Sequence, residues 1–186
     1  MRLYLIRHPE PDAAAGVCYG RSDLAVPVER TMRAASRLAP RLPGGAVLWS
    51  SPAARCAALA DALGAALATP VHYDARLLEM DFGAWEMRRW DDIERSQVDA
   101  WAADMAAYRP GGGERVLDVA ERVRAFHDGL KTDGRDAVLV CHAGVIRLLL
   151  AALEHDDVAA IAQAAARNPH RIGYGELLTA DCEAAS

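Results

Sequence analysis

The sequence predicts an α/β fold in which a mostly parallel sheet is packed between two layers of helices. Three short runs, Leu3-Tyr4-Leu5-Ile6, Ala46-Val47-Leu48-Trp49 and Ala137-Val138-Leu139-Val140-Cys141, are apolar throughout and show no alternation. Strands of that kind are covered on both faces, and helices above and below a parallel sheet provide the cover. Segments of helical character lie between the runs and supply the crossovers that parallel strands require. With 186 residues, 52% of them hydrophobic and 25% charged, the chain has the size and composition of one globular domain, and residues 1–186 are read as such.

The first strand leads directly into Arg7 and His8. A helix is expected over about 27–41. The second strand ends at Ser50-Ser51, and a helix over about 53–66 follows, with Ser51 as its expected cap and Pro52 at its first position, where a missing N–H costs nothing. Arg55 then falls in the first turn, beside the end of the strand. From Pro70 to Trp101 the pattern is weakest, and Trp85, Trp90 and Trp101 are read there as wall or core residues. Further helices are expected over about 94–107, over about 114–131 after Gly111-Gly112-Gly113, and over about 143–154 after the third strand. Glu176-Leu177-Leu178-Thr179, which follows Gly173 and Gly175, is the last expected strand. The alanine-rich stretches read as small helix faces rather than low complexity.

Composition narrows the function classes. A net charge of -5 argues against a general binder of nucleic acid or anionic membrane, whose surface carries a basic excess. Lys131 is the only lysine; the bias toward arginine reads first as genome composition and second as a preference for planar oxyanion recognition where arginines converge. Cys18, Cys56, Cys141 and Cys182 are scattered and form no CxxC pair, so neither a zinc site nor a disulfide framework is expected and a reducing cytoplasm fits. The apolar run at residues 3–6 is too short for a signal-peptide core or a membrane span, and a soluble cytoplasmic protein is expected.

Three strand ends deliver polar groups: Arg7-His8 after the first, Ser50-Ser51 and then Arg55 after the second, and His142 after the third. In open parallel sheets ligands gather at those ends, so residues far apart in sequence become candidates for one site. Two arginines and two histidines offer many donors to a tetrahedral oxyanion and one possible nitrogen nucleophile, and phosphate is the natural ligand. Cys141-His142-Ala143-Gly144-Val145 also opens a helix, whose free N–H groups and dipole favour an anion. Any one of these residues alone reads as an ordinary hydrogen-bonded histidine or solvated arginine; the convergence carries the signal.

These residues resemble the histidine phosphatase superfamily, also called phosphoglycerate mutase-like. Leu5-Ile6-Arg7-His8-Pro9-Glu10 is similar to its Arg-His-Gly signature, and Val140-Cys141-His142-Ala143-Gly144-Val145-Ile146-Arg147 to its second histidine motif. Ser50-Ser51-Pro52-Ala53-Ala54-Arg55 resembles its Ser-Ser-Pro-x-x-Arg block, and Leu78-Glu79-Met80-Asp81-Phe82-Gly83-Ala84-Trp85-Glu86 the loop that carries its acid. The resemblance implies a phosphoglycerate mutase-like three-layer α/β/α fold. It further implies that His8 attacks phosphorus, that Arg7, Arg55 and His142 hold the phosphoryl oxygens, and that Glu79 protonates the leaving oxygen, with no metal and no cofactor. The physical logic agrees: transfer concentrates charge on equatorial oxygens that a cationic cradle stabilises, and an alkoxide needs a proton. Pro9 departs from the family's usual glycine and removes both conformational freedom and an N–H at that turn.

Gly16-Val17-Cys18-Tyr19-Gly20-Arg21-Ser22-Asp23-Leu24 most resembles the alpha-ribazole phosphatase branch of cobalamin synthesis, which implies hydrolysis of a small phosphomonoester, alpha-ribazole 5'-phosphate or the corresponding cobalamin phosphate, to the free alcohol and inorganic phosphate. Tyr19, Gly20 and Arg21 are then candidates for the substrate rim, and Ala143, at the start of the expected helix, is a further candidate for substrate binding; a glycine-turned loop with exposed polar groups is the competing reading for Tyr19 and Arg21. A broad-specificity or phosphohistidine-protein phosphatase, a phosphoglycerate mutase and a noncatalytic phosphometabolite sensor are the alternatives. His72, His127, His155 and His170 are read as structural, with His127 and His155 on helix surfaces, and Asp156-Asp157 as a solvated turn. Glu10 and Glu114 lie near the motifs, and ion pairing with arginine is their simplest explanation.

Overall fold

Each of the three apolar runs forms a strand, and their missing alternation has the expected cause: helices cover both faces of the sheet. The computed structural model describes residues 1–167 and 171–182. Strands β1 (Arg2–Arg7), β2 (Val47–Ser50) and β4 (Ala137–Cys141) lie parallel with β4 between the other two, Leu5 opposite Leu139 and Leu139 opposite Trp49. A short β3 (Val71–Tyr73) extends the β2 edge in parallel, and β5 (Leu177–Asp181) closes the β1 edge antiparallel, giving the order β3-β2-β4-β1-β5.

The pleat sends alternate residues to opposite faces. Ile6, Leu48, Val138 and Val140 pack against helices α1 (Val28–Leu38) and α2 (Ala54–Leu67), through Leu38, Leu59 and Leu63. Leu3, Leu5, Leu139 and Cys141 pack on the other face against α4 (Val116–Asp133), α5 (Ala143–Glu154) and α6 (Val158–Arg167), through Phe126, Ile146, Leu149 and Ile161. Burying each such side chain contributes ~1.5–3 kcal/mol. Because β1, β2 and β4 are adjacent and parallel, their C-terminal ends, and with them His8, Ser51 and His142, emerge on one edge of the sandwich. Helix α3 (Arg95–Ala103) belongs to an aromatic cluster beside that edge, where Trp101 stacks on Trp90 at 5.8 Å and Trp85 is buried.

Several expectations are corrected. The helix expected to about residue 41 is α1 followed by a 3₁₀ turn over Ala39–Arg41, since Pro40 cannot donate to an α-helical ladder. Helix α2 begins at Ala54 with Ala53 at the capping position, so Ser51 does not cap it; the Asp23 carboxylate accepts from Ala54 N at 2.8 Å instead. Helix α3 stops at Ala103, where the Asp104 carboxylate turns the chain by accepting from Ala107 N. Strand β3 and helix α6 were not expected: the one is three residues long with two of them exposed, and the other is largely alanine. His127, expected on a helix surface, is 1% exposed, its Nε2 3.4 Å from Cys182 Sγ just after β5, and burial pushes its pKa down. His155 and His72 are exposed, His170 lies outside the described residues, and Asp156 meets Arg124 at 3.2 Å in an open turn. Among the described residues no helix is long and apolar enough to cross a membrane.

Candidate active site

At the C-terminal edge of the sheet, Arg7, His8, Arg55, Glu79 and His142 line one cleft of about 220 Å³, together with Tyr19, Ala143 and Tyr174. His8 is 2% exposed and its Nδ1 lies 2.7 Å from the Pro9 carbonyl oxygen. A carbonyl only accepts, so Nδ1 carries the hydrogen and Nε2 keeps its lone pair. Burial pushes the His8 pKa down to about 3, with the charges of Arg55 and Arg7 acting in the same direction against the pull of the Pro9 carbonyl. The imidazole is therefore neutral at physiological pH, the form in which it is a nucleophile. Pro9 contributes its carbonyl to this arrangement, and glycine would offer the same group.

His142 sits with its ring 5.2 Å from that of His8, edge to face, and its Nε2 is 2.9 Å from Ser51 Oγ. Burial holds it well below the ordinary histidine value, with Arg55 and then His8 adding to the effect. Arg55 is 1% exposed and donates from Nη2 to Gly20 O at 2.5 Å and from Nη1 to Ser22 O at 2.7 Å. Arg7 donates from Nη1 to Ile172 O at 2.5 Å and lies 3.8 Å over the ring of Tyr174. Neither guanidinium is paired with a carboxylate among the described residues, and the Nε of each is buried without an acceptor. Arg55, removed from water, and Arg7, partly so, have only neutral groups for company, an arrangement that an anion between them would stabilise.

Glu79 approaches the start of α5, where its Oε2 accepts from Gly144 N at 3.1 Å and its Oε1 from Met80 N at 3.1 Å. A Cβ at position 144 would fall 2.5 Å from Glu79 Oε1, so glycine is what lets the carboxylate reach the helix end. A neutral nitrogen nucleophile, a cationic cradle without carboxylate partners among the described residues and a carboxyl in the same cleft can transfer a phosphoryl group and manage the leaving proton. The chain matches the family model described as "Histidine phosphatase superfamily (branch 1)" over residues 3–172. It belongs to that superfamily.

Relatives of this histidine phosphatase include a glucosyl-3-phosphoglycerate phosphatase of Mycolicibacterium vanbaalenii, 33% identical over 82% of this chain and 73% of the relative. An adenosylcobalamin/alpha-ribazole phosphatase of Salmonella typhimurium is 32% identical over 82% of this chain and 79% of its own. Among solved structures, the alpha-ribazole phosphatase of Shigella flexneri superimposes with a TM-score of 0.81 at 27% identity, covering 97% of this chain and 90% of that one. A mycobacterial glucosyl-3-phosphoglycerate phosphatase gives 0.77 at 28% identity, with coverages of 96% and 88%. The chain is accordingly a phosphatase with the phosphoglycerate mutase-like fold.

The histidine phosphatase cleft is supported by Glu86 and Arg122, to which the sequence assigns no role. Glu86 accepts from Gly20 N, Arg21 N, Ser22 N, Ser22 Oγ and Phe82 N, at 2.5–3.1 Å, and so ties down the loop whose carbonyls hold Arg55. Burial alone would raise its pKa, but these donors outweigh it and hold the carboxylate below its usual range. Gly20 passes so close to Met80 O that a Cβ would lie 1.9 Å away. Arg21, expected on the substrate rim, instead pairs with Glu114 at 3.2 Å and is not among the residues lining the cleft. Glu114 also pairs with Arg122, whose Nη1 donates to Leu78 O at 2.6 Å and whose Nη2 donates to Glu79 O at 3.2 Å, fixing the segment that carries Glu79. Glu10 faces Arg30 at 3.6 Å at the surface. Tyr174 was missed because Gly173-Tyr174-Gly175 reads only as a turn; its hydroxyl meets that of Tyr19 at 2.6 Å across the cleft. Among the described residues no three His, Cys, Asp or Glu side chains converge as a metal site.

Proposed function

We propose that this histidine phosphatase hydrolyses phosphomonoesters through a covalent phosphohistidine on His8, and that alpha-ribazole 5'-phosphate is its substrate. The observation that carries the mechanism is the state of His8: Nδ1–H is committed to the Pro9 carbonyl, which leaves the Nε2 lone pair in a cleft flanked by two arginines without carboxylate partners. Nε2 attacks phosphorus, the bond from phosphorus to the alcohol oxygen breaks, and the Glu79 carboxyl gives its proton to that oxygen. Arg7, Arg55 and His142 hold the equatorial oxygens, whose charge grows in the transition state. Water then attacks the phosphohistidine, Glu79 takes the proton, the phosphorus–nitrogen bond breaks with its electrons returning to Nε2, and inorganic phosphate leaves. Ala143 adds the free N–H of a first helical turn, and Tyr19 with Tyr174 forms the rim.

The choice of alpha-ribazole phosphate rests on the segment from Gly16 to Leu24 and on the alpha-ribazole phosphatase relatives. The glucosyl-3-phosphoglycerate phosphatase relative of equal similarity supports a second reading. Measured kcat/KM for alpha-ribazole 5'-phosphate, glucosyl-3-phosphoglycerate, 3-phosphoglycerate and a phosphohistidine peptide separates them. The proposal expects the first to lead by at least ~10-fold, since smaller differences fall within what one apolar contact supplies; a leading rate for glucosyl-3-phosphoglycerate would assign the second substrate. Release of no phosphate from any of the four would leave a phosphometabolite sensor.

A further inference from the structure

Arg7 is the last residue of β1, and its side chain has two supports in the cleft. Its Nη1 donates to Ile172 O at 2.5 Å, and the centre of its guanidinium lies 3.8 Å from the centre of the Tyr174 ring. A hydrogen bond at one corner leaves a planar group free to swing about that bond. An aromatic face against its flat side removes the swing, and so decides where the remaining N–H groups of the fork point. The ring also attracts the cation without neutralising it, whereas a carboxylate in the same place would compete with phosphate for the charge.

The ring is itself fastened to the strand end it serves. Gly175 N donates to Arg7 O at 3.1 Å and to His8 O at 3.2 Å, Arg7 N donates to Glu176 O at 3.1 Å, and Arg37 Nη2 donates to Gly175 O at 2.8 Å. Gly175 has a φ of 66°, a left-handed conformation that glycine adopts without strain, and the chain turns there into β5 directly after the tyrosine. At its far end the Tyr174 hydroxyl is held by that of Tyr19 at 2.6 Å. We infer that Tyr174 is a positioning residue whose ring aims the Arg7 guanidinium at the phosphoryl oxygens. The inference rests on the proposed role of Arg7 in holding those oxygens, and the effect of the ring runs through Arg7.

A double-mutant cycle on kcat/KM for p-nitrophenyl phosphate, with rates normalised to folded protein by circular dichroism, tests this. Tyr174→Leu removes the aromatic face, and Tyr174→Phe keeps it while dropping the contact with Tyr19. Because Tyr174 is 40% exposed, neither change opens a cavity in the core. Tyr174→Leu should lower kcat/KM on the order of tenfold and Tyr174→Phe by less than ~3-fold. In the Arg7→Ala background there is no guanidinium to aim, and Tyr174→Leu should cost less than ~2-fold. Equal losses for Tyr174→Leu in both backgrounds would overturn the inference, since the ring would then serve the fold or the substrate directly. A loss for Tyr174→Phe as large as for Tyr174→Leu would overturn it as well, in favour of the hydroxyl contact. If Arg7→Ala alone costs less than ~10-fold, the inference falls together with the cradle assigned to Arg7; a larger loss without coupling to Tyr174 strikes the inference alone.

Discussion

Replacing Glu86 by glutamine tests whether one carboxylate organises the phosphate cradle from outside it. Its Oε1 accepts three backbone N–H groups, from Gly20, Arg21 and Phe82, while Oε2 accepts from Gly20 N, Ser22 N and Ser22 Oγ. Glutamine keeps one acceptor oxygen. In its better orientation the new NH₂ faces Ser22, whose hydroxyl can turn to accept but whose N–H is left unpaired. One orphaned, half-buried N–H costs ~1–3 kcal/mol, and the surviving bonds lose the charge assistance that roughly doubles their strength. The loss of stability should be ~2–4 kcal/mol, or a fall in Tm of ~5–12 °C for a chain of this length. Urea unfolding followed by tryptophan fluorescence reads it. Because the Glu86 pKa is lowered on folding, its contribution is present above the unfolded carboxylate value and lost as pH falls through the folded one, so Glu86→Gln should also flatten the acid limb of stability. The Gly20 and Ser22 carbonyls that hold Arg55 loosen with the loop, and kcat/KM should fall about tenfold, the effect of weakening one charged contact in the transition state by ~1.4 kcal/mol. A stability change below ~0.5 kcal/mol, the range of an ordinary surface substitution, would refute the reasoning.

The buried histidines predict a second pH effect. The folded His8 binds its proton more weakly than the unfolded chain, whose ordinary value is 6.5, so stability should fall as pH drops from 6.5 toward about 3. The slope is up to ~1.4 kcal/mol per pH unit for each such histidine, and His142 and His127 act in the same direction; stability that stays flat from pH 7 to 5 in chemical denaturation would contradict this. Activity should survive EDTA, because arginine and histidine rather than clustered carboxylates line the cleft, and loss restored by magnesium or zinc would contradict the assignment. Glu79→Gln should slow the pre-steady-state burst ~10²–10⁴-fold for an alkyl phosphate but far less for p-nitrophenyl phosphate, whose anion needs no proton. Equal losses for both would remove Glu79 as the acid.

Features that depend on burial of whole runs were legible in the sequence. The strands holding Leu5, Leu48 and Leu139 declare themselves because nothing but a doubly covered sheet tolerates them, and the residues at their ends follow. Glu79 was legible only through its motif, since no periodicity marks a loop carboxylate. The remainder depends on contacts between distant residues. Ser51 suits a helix cap by local rules, yet the ring of His142, 91 residues away, takes its hydroxyl at 2.9 Å. Arg21 looks like a rim residue until Glu114 is folded beside it, and His127 looks exposed until Cys182 returns across it. The apolar cavity of about 260 Å³ that adjoins the cleft joins residues of six separate segments, from Tyr19 to Ala166, so no local pattern encodes it.

The central claim, nucleophilic attack by His8 Nε2, is tested most directly by trapping the intermediate. Wild-type protein mixed with labelled substrate is quenched in base within the first turnover, and the phosphopeptide is mapped by mass spectrometry and phosphorus NMR. Because the Pro9 carbonyl holds the Nδ1 hydrogen at 2.7 Å, the adduct should be acid-labile Nε2-phosphohistidine at position 8, absent in His8→Ala. Phosphate on Nδ1 of His8, phosphate on His142, or full turnover by His8→Ala with no trapped species would contradict the account.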